Sequence, residues 1–259
     1  VKTDNLTLTH SDGVAHITLC RPAVRNAFND AAIADLTRAF TQAGAEPHIR
    51  AIVLSAEGPA FCAGADLHWM RRMADYTREQ NLADAGQLAE MLHTLYTCPK
   101  PTIARVQGDV YAGGMGLVAA CDMAVAADTA HFCLSEVKIG LIPATIAPYV
   151  IRAMGTRAAQ RWFLTGEVFD AHEALRTGFI HEAVPAEQLD AAVNTLVTAL
   201  TQASPHAVCA AKQLVRDVAG RTITSELIAN TVEKIADIRA SDQGKEGVQA
   251  FLHKRRPVW

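Results

Sequence analysis

No apolar run in this chain of 259 residues approaches the roughly 18 consecutive apolar residues that a membrane-crossing helix needs. No block of like charge stands out: 24 Lys and Arg face 27 Asp and Glu, a formal net charge of −3. That balance gives no general pull toward nucleic acid or an anionic membrane, since both rely on clustered cations. The six cysteines form no CxxC pair and no metal-ligand spacing, in a chain too large to need disulfide staples, and they read as reduced, packed thiols. There is no GxSxG elbow to activate a serine and no local signature for a base beside Cys62 or Cys133. None of the ten histidines stands in an HExxH-like zinc spacing, so no metal is expected. The opening VKTDNLTLTHSDG is polar and turn-rich, which reads as no secretory signal in the sequence as given. A cytoplasmic enzyme or binding protein is the resulting expectation.

Half the residues are hydrophobic and a fifth charged, the composition of an ordinary globular protein. Leu6 to Thr9 and Val14 to Leu19 read as strands around Ser11-Asp12-Gly13, which is hairpin chemistry. Asn29 or Asp30 can cap a helix carrying Ile33, Leu36 and Phe40 at helical spacing and ending near Gly44. AIVLSAE, 51 to 57, reads as a buried strand. A helix from about Thr77 places Leu88, Met91, Leu92 and Leu95 on one face until the Pro99-Lys100-Pro101 break. PTIARVQG is a further strand, followed by a glycine-rich loop and an apolar helix ending at Cys121-Asp122. MAVAAD and HFCLSE suggest more strands. From Ala147 onward the pattern is mostly helical, with one short extended piece at FIHEAV. The expectation is an α/β N-terminal part and a helical C-terminal part, with a soft boundary at Ser204-Pro205.

Two loops draw notice: GPAFCAGADL, 58 to 67, and DVYAGGMG after PTIARVQG. Each follows a strand and precedes a helix, where free backbone N–H groups and the positive end of the helix dipole favour negative charge. Either can hold an oxyanion; equally, small residues permit tight turns and close helix packing. Gly114-x-Gly116-x-x-Ala119 formally matches the dinucleotide fingerprint, with Glu136 where a ribose acid might stand. That acid, however, lies beyond the strand MAVAAD rather than at its tip. In FCLSEVKIGLIPATIAPY, 132 to 149, Glu136 sits among Leu134, Val137 and Ile139. It is either turned to solvent at an element's end, with Lys138 as an ordinary ion-pair partner, or held near a reacting atom. His68, in ADLHWM, is a ligand, a base or a simple polar contact.

RPAVRNAF, FCAGADL, PTIARVQGDVYAGGMGLVAACDMAVAAD, FCLSEVKIGLIP, LTGEVFDAHEALRTGFIHEAV and the closing FLHKRRPVW resemble, in order and spacing over nearly the whole chain, the crotonase superfamily of enoyl-CoA hydratases and isomerases. The resemblance implies an α/β spiral of strand-strand-helix units over 1–204, with a C-terminal helical oligomerisation region over 205–259. It implies an oxyanion hole made by the backbone N–H groups of Ala65 and Gly113, which polarises an acyl-CoA carbonyl, and Glu136 as acid and base. Backbone donors must reach the oxyanion to about 2.7 to 3.1 Å, which explains small residues there. Ala23, Val24, Arg25, Ala63, Asp66 and Leu67 match positions near the nucleotide and pantetheine of CoA. His68, Gly114 and Gly116 count among the substrate-side residues, while Phe251 and Lys254 match positions meeting the CoA of a neighbouring subunit.

Coenzyme A belongs to the substrate, so no separate cofactor is implied. The implied assembly is a homotrimer or dimer of trimers, with no nucleic-acid or membrane partner. The chain departs from the familiar hydratases at Gly116, which takes the place of the first of two glutamates. Its wording looks closest to bacterial methylglutaconyl-CoA and isohexenylglutaconyl-CoA hydratases of leucine and acyclic terpene breakdown, implying a 3-branched glutaconyl-CoA substrate. His68, Arg71, Arg72, Lys138 and Tyr149 are candidates for binding its distal carboxylate. A double-bond isomerase, or a non-catalytic CoA- or RNA-binding scaffold, are the alternatives.

Overall fold

The computed structural model describes residues 1–259, which divide into two compact units, Val1–Leu196 and Val197–Trp259. The division falls inside the helix that precedes Ser204-Pro205. The first unit opens with β1 (Leu6–Ser11) and β2 (Val14–Leu19), an antiparallel hairpin pairing Leu6 with Leu19 and Ser11 with Val14. Asp12 and Gly13 both take positive φ, 49° and 77°, as a two-residue hairpin turn requires. Next comes α1 (Asp30–Ala45), capped by the Asn29 side chain, which accepts from the Ala32 N–H at 2.8 Å.

From here the chain repeats a strand, a shorter strand and helix. The first turn is β3 (Ala51–Ala56), β4 (Ala60–Cys62), α2 (Leu67–Met73) and α3 (Arg78–Thr97). The second is β5 (Thr102–Val106), β6 (Asp109–Tyr111) and α4 (Gly113–Ala120). The third is β7 (Met123–Ala127), β8 (His131–Cys133), a 3₁₀ turn at Glu136–Ile139 and α5 (Ala147–Thr165). The unit closes with β9 (Val168–Asp170), α6 (Ala171–Arg176) and β10 (Glu182–Val184), and α7 (Leu189–Gln202) leads out of it.

Each turn places its first strand in one sheet and its second in another. The larger sheet runs β1-β2-β3-β5-β7-β10 and the smaller β4-β6-β8-β9. Parallel neighbours need a crossover between them, and the helices supply it: β2, β3, β5, β7 and β10 pair in parallel in that order. The expected strand at FIHEAV is β10.

Three strands escape the sequence reading. β4 and β6 lie in segments read as loop, and β9 in a stretch read as helical. Each has only three residues, too short to show the alternation that marks a strand.

The core lies between these layers. Phe28, Phe40, Phe61, Phe132, Ile52, Leu54 and Met91 are fully buried; α1 packs on α3, and α4 on both α3 and α5. The expected face of α3 is real, with Met91, Leu92 and Leu95 buried, and Thr77 closes a capping box with Gln80. The helix α4 is buried on nearly every side, which its all-apolar sequence allows.

The second unit holds α8 (Pro205–Val218), α9 (Ser225–Ala240) and α10 (Asp242–Leu252), capped by Ser204, Thr224 and Ser241. Ser204 also donates to Gln243 Oε1 at 2.7 Å, tying the start of α8 to α10. Arg255 clasps Glu246 through two nitrogens, at 2.6 and 2.8 Å, and holds its carboxyl down to about 2. On α9, Ile228, Val232 and Ile235 are exposed at helical spacing, as are Val248, Phe251 and Leu252 on α10.

Candidate active site

Strand order decides which loops meet. β4, β6 and β8 are parallel neighbours in the small sheet, so the segments leaving their C-terminal ends emerge along one edge. Those segments carry Ala65, Gly113 and Glu136, residues far apart in sequence.

Ala65 is set by a parallel bridge to Phe28. The Phe28 N–H donates to the Gly64 carbonyl at 2.6 Å, and the Asp66 N–H donates to the Phe28 carbonyl at 2.7 Å. Residues 64 and 66 thus bond toward Phe28, and the alternation of an extended strand turns the Ala65 amide the other way. Gly113 opens α4, where the first N–H groups have no partner within the helix and the dipole is positive. Ala112, just before it, has φ 46° and ψ −119°, a region that L residues occupy at a cost of about 1 to 3 kcal/mol. Its N–H donates to the Cys133 carbonyl at 2.9 Å, tying the glycine loop to the end of β8.

Gly64 brings the two amide-bearing loops together. At φ +90°, a β-carbon built on it would stand 2.9 Å from Ala112 Cβ, 3.3 Å from the Tyr111 carbonyl oxygen and 3.7 Å from the Gly113 nitrogen. Only a residue without a side chain permits both that φ and that approach. The close approach of the segment carrying Ala65 to the loop carrying Gly113 therefore has a local cause, the missing side chain at Gly64.

Glu136 begins the 3₁₀ turn after β8 and is half-buried. Its Oε2 is buried and has no hydrogen-bond partner. Burial pushes the carboxyl above its ordinary value, opposed only by its own backbone N–H. Lys138 leaves that oxygen unpartnered and lies along Gly166, where a built β-carbon would be 3.2 Å from Lys138 Cε. A carboxyl raised in pKa, with one oxygen withdrawn from solvent and uncommitted, is suited to exchanging a proton with something placed beside it.

The RPAVRN loop is clipped to the first of these segments. Pro22–Val24 forms a 3₁₀ turn, with Ala23, Val24 and Arg25 exposed. The Ala63 N–H donates to the Arg25 carbonyl at 3.0 Å. Asn26, buried, donates to the Glu57 and Ala60 carbonyls at 2.9 Å each and accepts from the Arg21 N–H at 2.8 Å. The loop 21–28 and the segment 63–66 are thereby side by side.

Asp66 has a structural task that the sequence reading missed. Its carboxylate caps α2, accepting from the His68 N–H at 2.8 Å, and pairs with Arg21 at 2.9 Å. Burial works against that charge, but the His68 amide and Arg21 outweigh it and hold the carboxyl below its ordinary value. Leu67, His68 and Arg71 are exposed on α2, and Arg72 is paired with Asp30 at 2.9 Å. Tyr149 meets Tyr96 edge-on at 5.4 Å between centroids. Phe251 and Lys254 belong to the second unit, Phe251 being 82% exposed.

Gly114 and Gly116 face protein. A β-carbon on Gly114 would be 2.8 Å from both Cβ and the carbonyl oxygen of Cys62. One on Gly116 would fall 2.9 Å from Ile146 Cβ and 3.3 Å from Leu92 Cδ2, and would overlap Ile146 Cγ2. Both glycines lie inside α4 rather than in the turn before it. That removes the dinucleotide reading, which needs the glycines to bring the backbone against a pyrophosphate. Cys62 is buried, its thiol pushed up to about 12, and Cys133 is raised by burial too, so both are packing residues. No cluster of three or more His, Cys, Asp or Glu is arranged to hold a metal. A cavity of about 880 Å³ lined by Arg157, Arg161, Trp162 and Arg176 contains none of these residues.

Residues 9–259 match the family model described as enoyl-CoA hydratase/isomerase. The chain is 43% identical to an enoyl-CoA hydratase from Shewanella pealeana, whose crystal structure superposes with a TM-score of 0.95 over 98% of this chain and 95% of that one. It is 34% identical to the enoyl-CoA hydratase of Mycobacterium smegmatis, with a TM-score of 0.93 over 98% of each chain. The mitochondrial enoyl-CoA hydratase domain-containing protein 3 of Mus musculus is 33% identical over 254 residues, covering 96% of this chain and 82% of that protein.

Proposed function

The chain belongs to the enoyl-CoA hydratase/isomerase family, enzymes of the crotonase fold acting on acyl-CoA thioesters, and from that premise we propose that it adds water across the C2=C3 bond of a 3-branched glutaconyl-CoA such as 3-methylglutaconyl-CoA or isohexenylglutaconyl-CoA. The observation that carries the chemistry is the buried, unpartnered Oε2 of Glu136 at the end of β8, next to β6 and its glycine loop. In this reading the Ala65 and Gly113 amides hold the thioester oxygen. Glu136 orients a water and takes its proton as the water oxygen bonds to C3. The electron pair of the double bond moves to C2 and the carbonyl, giving an enolate that the two amides stabilise. Glu136 then returns the proton to C2 on the same face, giving a 3-hydroxyacyl-CoA with a tertiary alcohol. One such amide is worth on the order of 3 kcal/mol of barrier. CoA is part of the substrate, and no cofactor enters.

The substrate class rests on the likeness of FCAGADLHWM, GLVAACDMAVAAD and FCLSEVKIGLIPATIAPYVIRAMG to that hydratase branch and on Gly116 in the first-glutamate position. His68, Arg71, Arg72, Lys138 and Tyr149 remain the candidates for the distal carboxylate, Arg72 being already committed to Asp30. Residues 23–25, 63, 66 and 67 would lie along the CoA. Phe251 and Lys254 would reach the CoA of a neighbouring subunit in a trimer or paired trimers. The exposed apolar faces of α9 and α10 support that assembly, since a neighbour would cover them. No helix is long and apolar enough to cross a membrane, and a cytoplasmic location is part of the proposal.

Turnover of 3-methylglutaconyl-CoA and crotonyl-CoA by the natural enzyme and by Glu136→Gln tests this reading. Rapid turnover of crotonyl-CoA alone removes the substrate class, and an unimpaired Glu136→Gln enzyme removes the assigned base. The lone carboxylate also favours a second reading, double-bond isomerisation, which one base can serve. Shifting of a 3-enoyl-CoA double bond without uptake of solvent oxygen would decide for it.

A further inference from the structure

Gly116 matters for what presses on it. α4 begins at Gly113, and Gly116, one turn further on, packs directly beneath Ile146, the residue that precedes α5. A β-carbon at 116 would overlap Ile146 Cγ2 and stand 2.9 Å from Ile146 Cβ. Ile146 is 1% exposed, and its carbonyl accepts the Tyr149 and Val150 N–H groups at 3.1 Å each. A β-branched side chain on a fixed backbone has few rotamers, so the two atoms facing Gly116 form a rigid seat. Leu92, fully buried on α3, closes the same spot from the other side.

We propose that Ile146 is a positioning residue for the reaction: its β-branch seats α4 against the bare Cα of Gly116 and so fixes where the Gly113 amide stands. The proposal rests on the oxyanion role given to Gly113 above. It assigns Ile146 no contact with substrate. Because the seat is occupied, position 116 carries no side chain while Ile146 is in place, and acid-base work at this end of α4 is left to Glu136.

Two substitutions separate this role from simple filling of the core. Ile146→Val keeps Cβ and both γ-carbons, including the one over Gly116, but loses a methyl. Ile146→Leu keeps the apolar volume but moves the branch out to Cγ. The readouts are kcat, KM and the stretching frequency of the thioester carbonyl in a bound enoyl-CoA, with a thermal melt of each protein.

Ile146→Val is expected to keep kcat within about threefold and to shift the carbonyl as the natural enzyme does. Ile146→Leu is expected to lose on the order of tenfold or more in kcat with a smaller carbonyl shift, a misplacement effect. If Ile146→Leu does not fold, Gly116→Ala with Ile146→Ala serves instead, and must turn over faster than Gly116→Ala alone. The reverse order, with Leu equal to the natural enzyme and Val impaired, overturns the proposal, as does a double variant no better than the single. If the natural enzyme itself leaves the bound carbonyl unshifted, the oxyanion role of Gly113 fails instead, and the two failures are distinct.

Discussion

Replacing Gly64 with alanine loads two costs onto one atom. The backbone there sits at φ +90°, and the new methyl would stand 2.9 Å from Ala112 Cβ, where carbon atoms prefer about 3.5 to 4.0 Å. The left-handed backbone and the overpacking together cost about 2 to 5 kcal/mol. Against a typical total stability of about 5 to 15 kcal/mol the variant still folds, with Tm lowered by roughly 5 to 15 °C. The contact is relieved only by parting the loops, by about 0.6 Å or more if Ala112 keeps its place. Those loops carry Ala65 on one side and Gly113 on the other, so under the proposed oxyanion role the two amides would no longer address one oxygen. The expected loss in kcat is on the order of 10- to 100-fold, between a slight misplacement and the removal of one donor. Loss of the enoyl thioester's ultraviolet absorbance measures hydration directly, and the carbonyl frequency of the bound substrate measures polarisation. A variant with the expected fall in Tm but natural kcat and carbonyl shift would refute the argument, because the loops would then have moved without consequence for the chemistry.

Glu136→Gln is expected to lower kcat by about 10² to 10⁴ while making the protein more stable at neutral pH. A carboxyl whose folded pKa is raised opposes folding once pH passes its ordinary value, so the variant's gain in Tm should appear above that value and vanish below it. A gain that persists at low pH would contradict this sign. In the natural enzyme the acidic limb of kcat/KM should lie above the ordinary carboxylate value, read from a pH–rate profile. Asp66→Ala leaves Arg21, 19% exposed beside a carboxylate 6% exposed, with only the Ala27 carbonyl, and should cost about 1.5 to 3 kcal/mol in denaturant unfolding; a cost under about 0.5 kcal/mol, as for a surface pair, would reject that assignment. Cys62, buried with its thiol near 12, should resist alkylation in the folded protein and react once it is unfolded. Mass spectrometry of labelled peptides decides the matter.

Much of the larger sheet was legible because its strands are five or six residues long and bracketed by helices with ordinary caps. Asn29 and Thr77 announce α1 and α3 by the same chemistry that caps them in the structure. Of the smaller sheet only β8, in HFCLSE, was legible. β4, β6 and β9 are too brief for periodicity, and AFC and DVY look like the loops they lead into. Yet the order of that sheet is what brings Ala65, Gly113 and Glu136 to one edge. The candidate site was therefore readable as separate motifs, while the reason for their meeting is tertiary. Asp66 illustrates the same limit. As a residue of FCAGADL it invites a functional reading, and only its contacts with Arg21 and the His68 amide show what its carboxylate does.

Position 116 carries the point further, because its meaning is not local to either residue involved. Read along the chain, a glycine inside an apolar helix is a cost of roughly 1 kcal/mol against alanine without evident return. The return lies in Ile146, just before a different helix, whose side chain fills the volume that any residue at 116 would need. A carboxylate cannot be placed there by one substitution, since the β-carbon of Gly116→Glu already meets Ile146. Neither can Ile146 be trimmed alone without leaving a void beside Leu92, and a void in a packed core is filled by movement of the helix that bounds it. A side chain at 116 therefore calls for a smaller residue at 146 as well. The bareness of position 116, on which the proposed single-carboxylate chemistry rests, is thus a property of the packing between α4 and the start of α5, and it is as well anchored as that packing is.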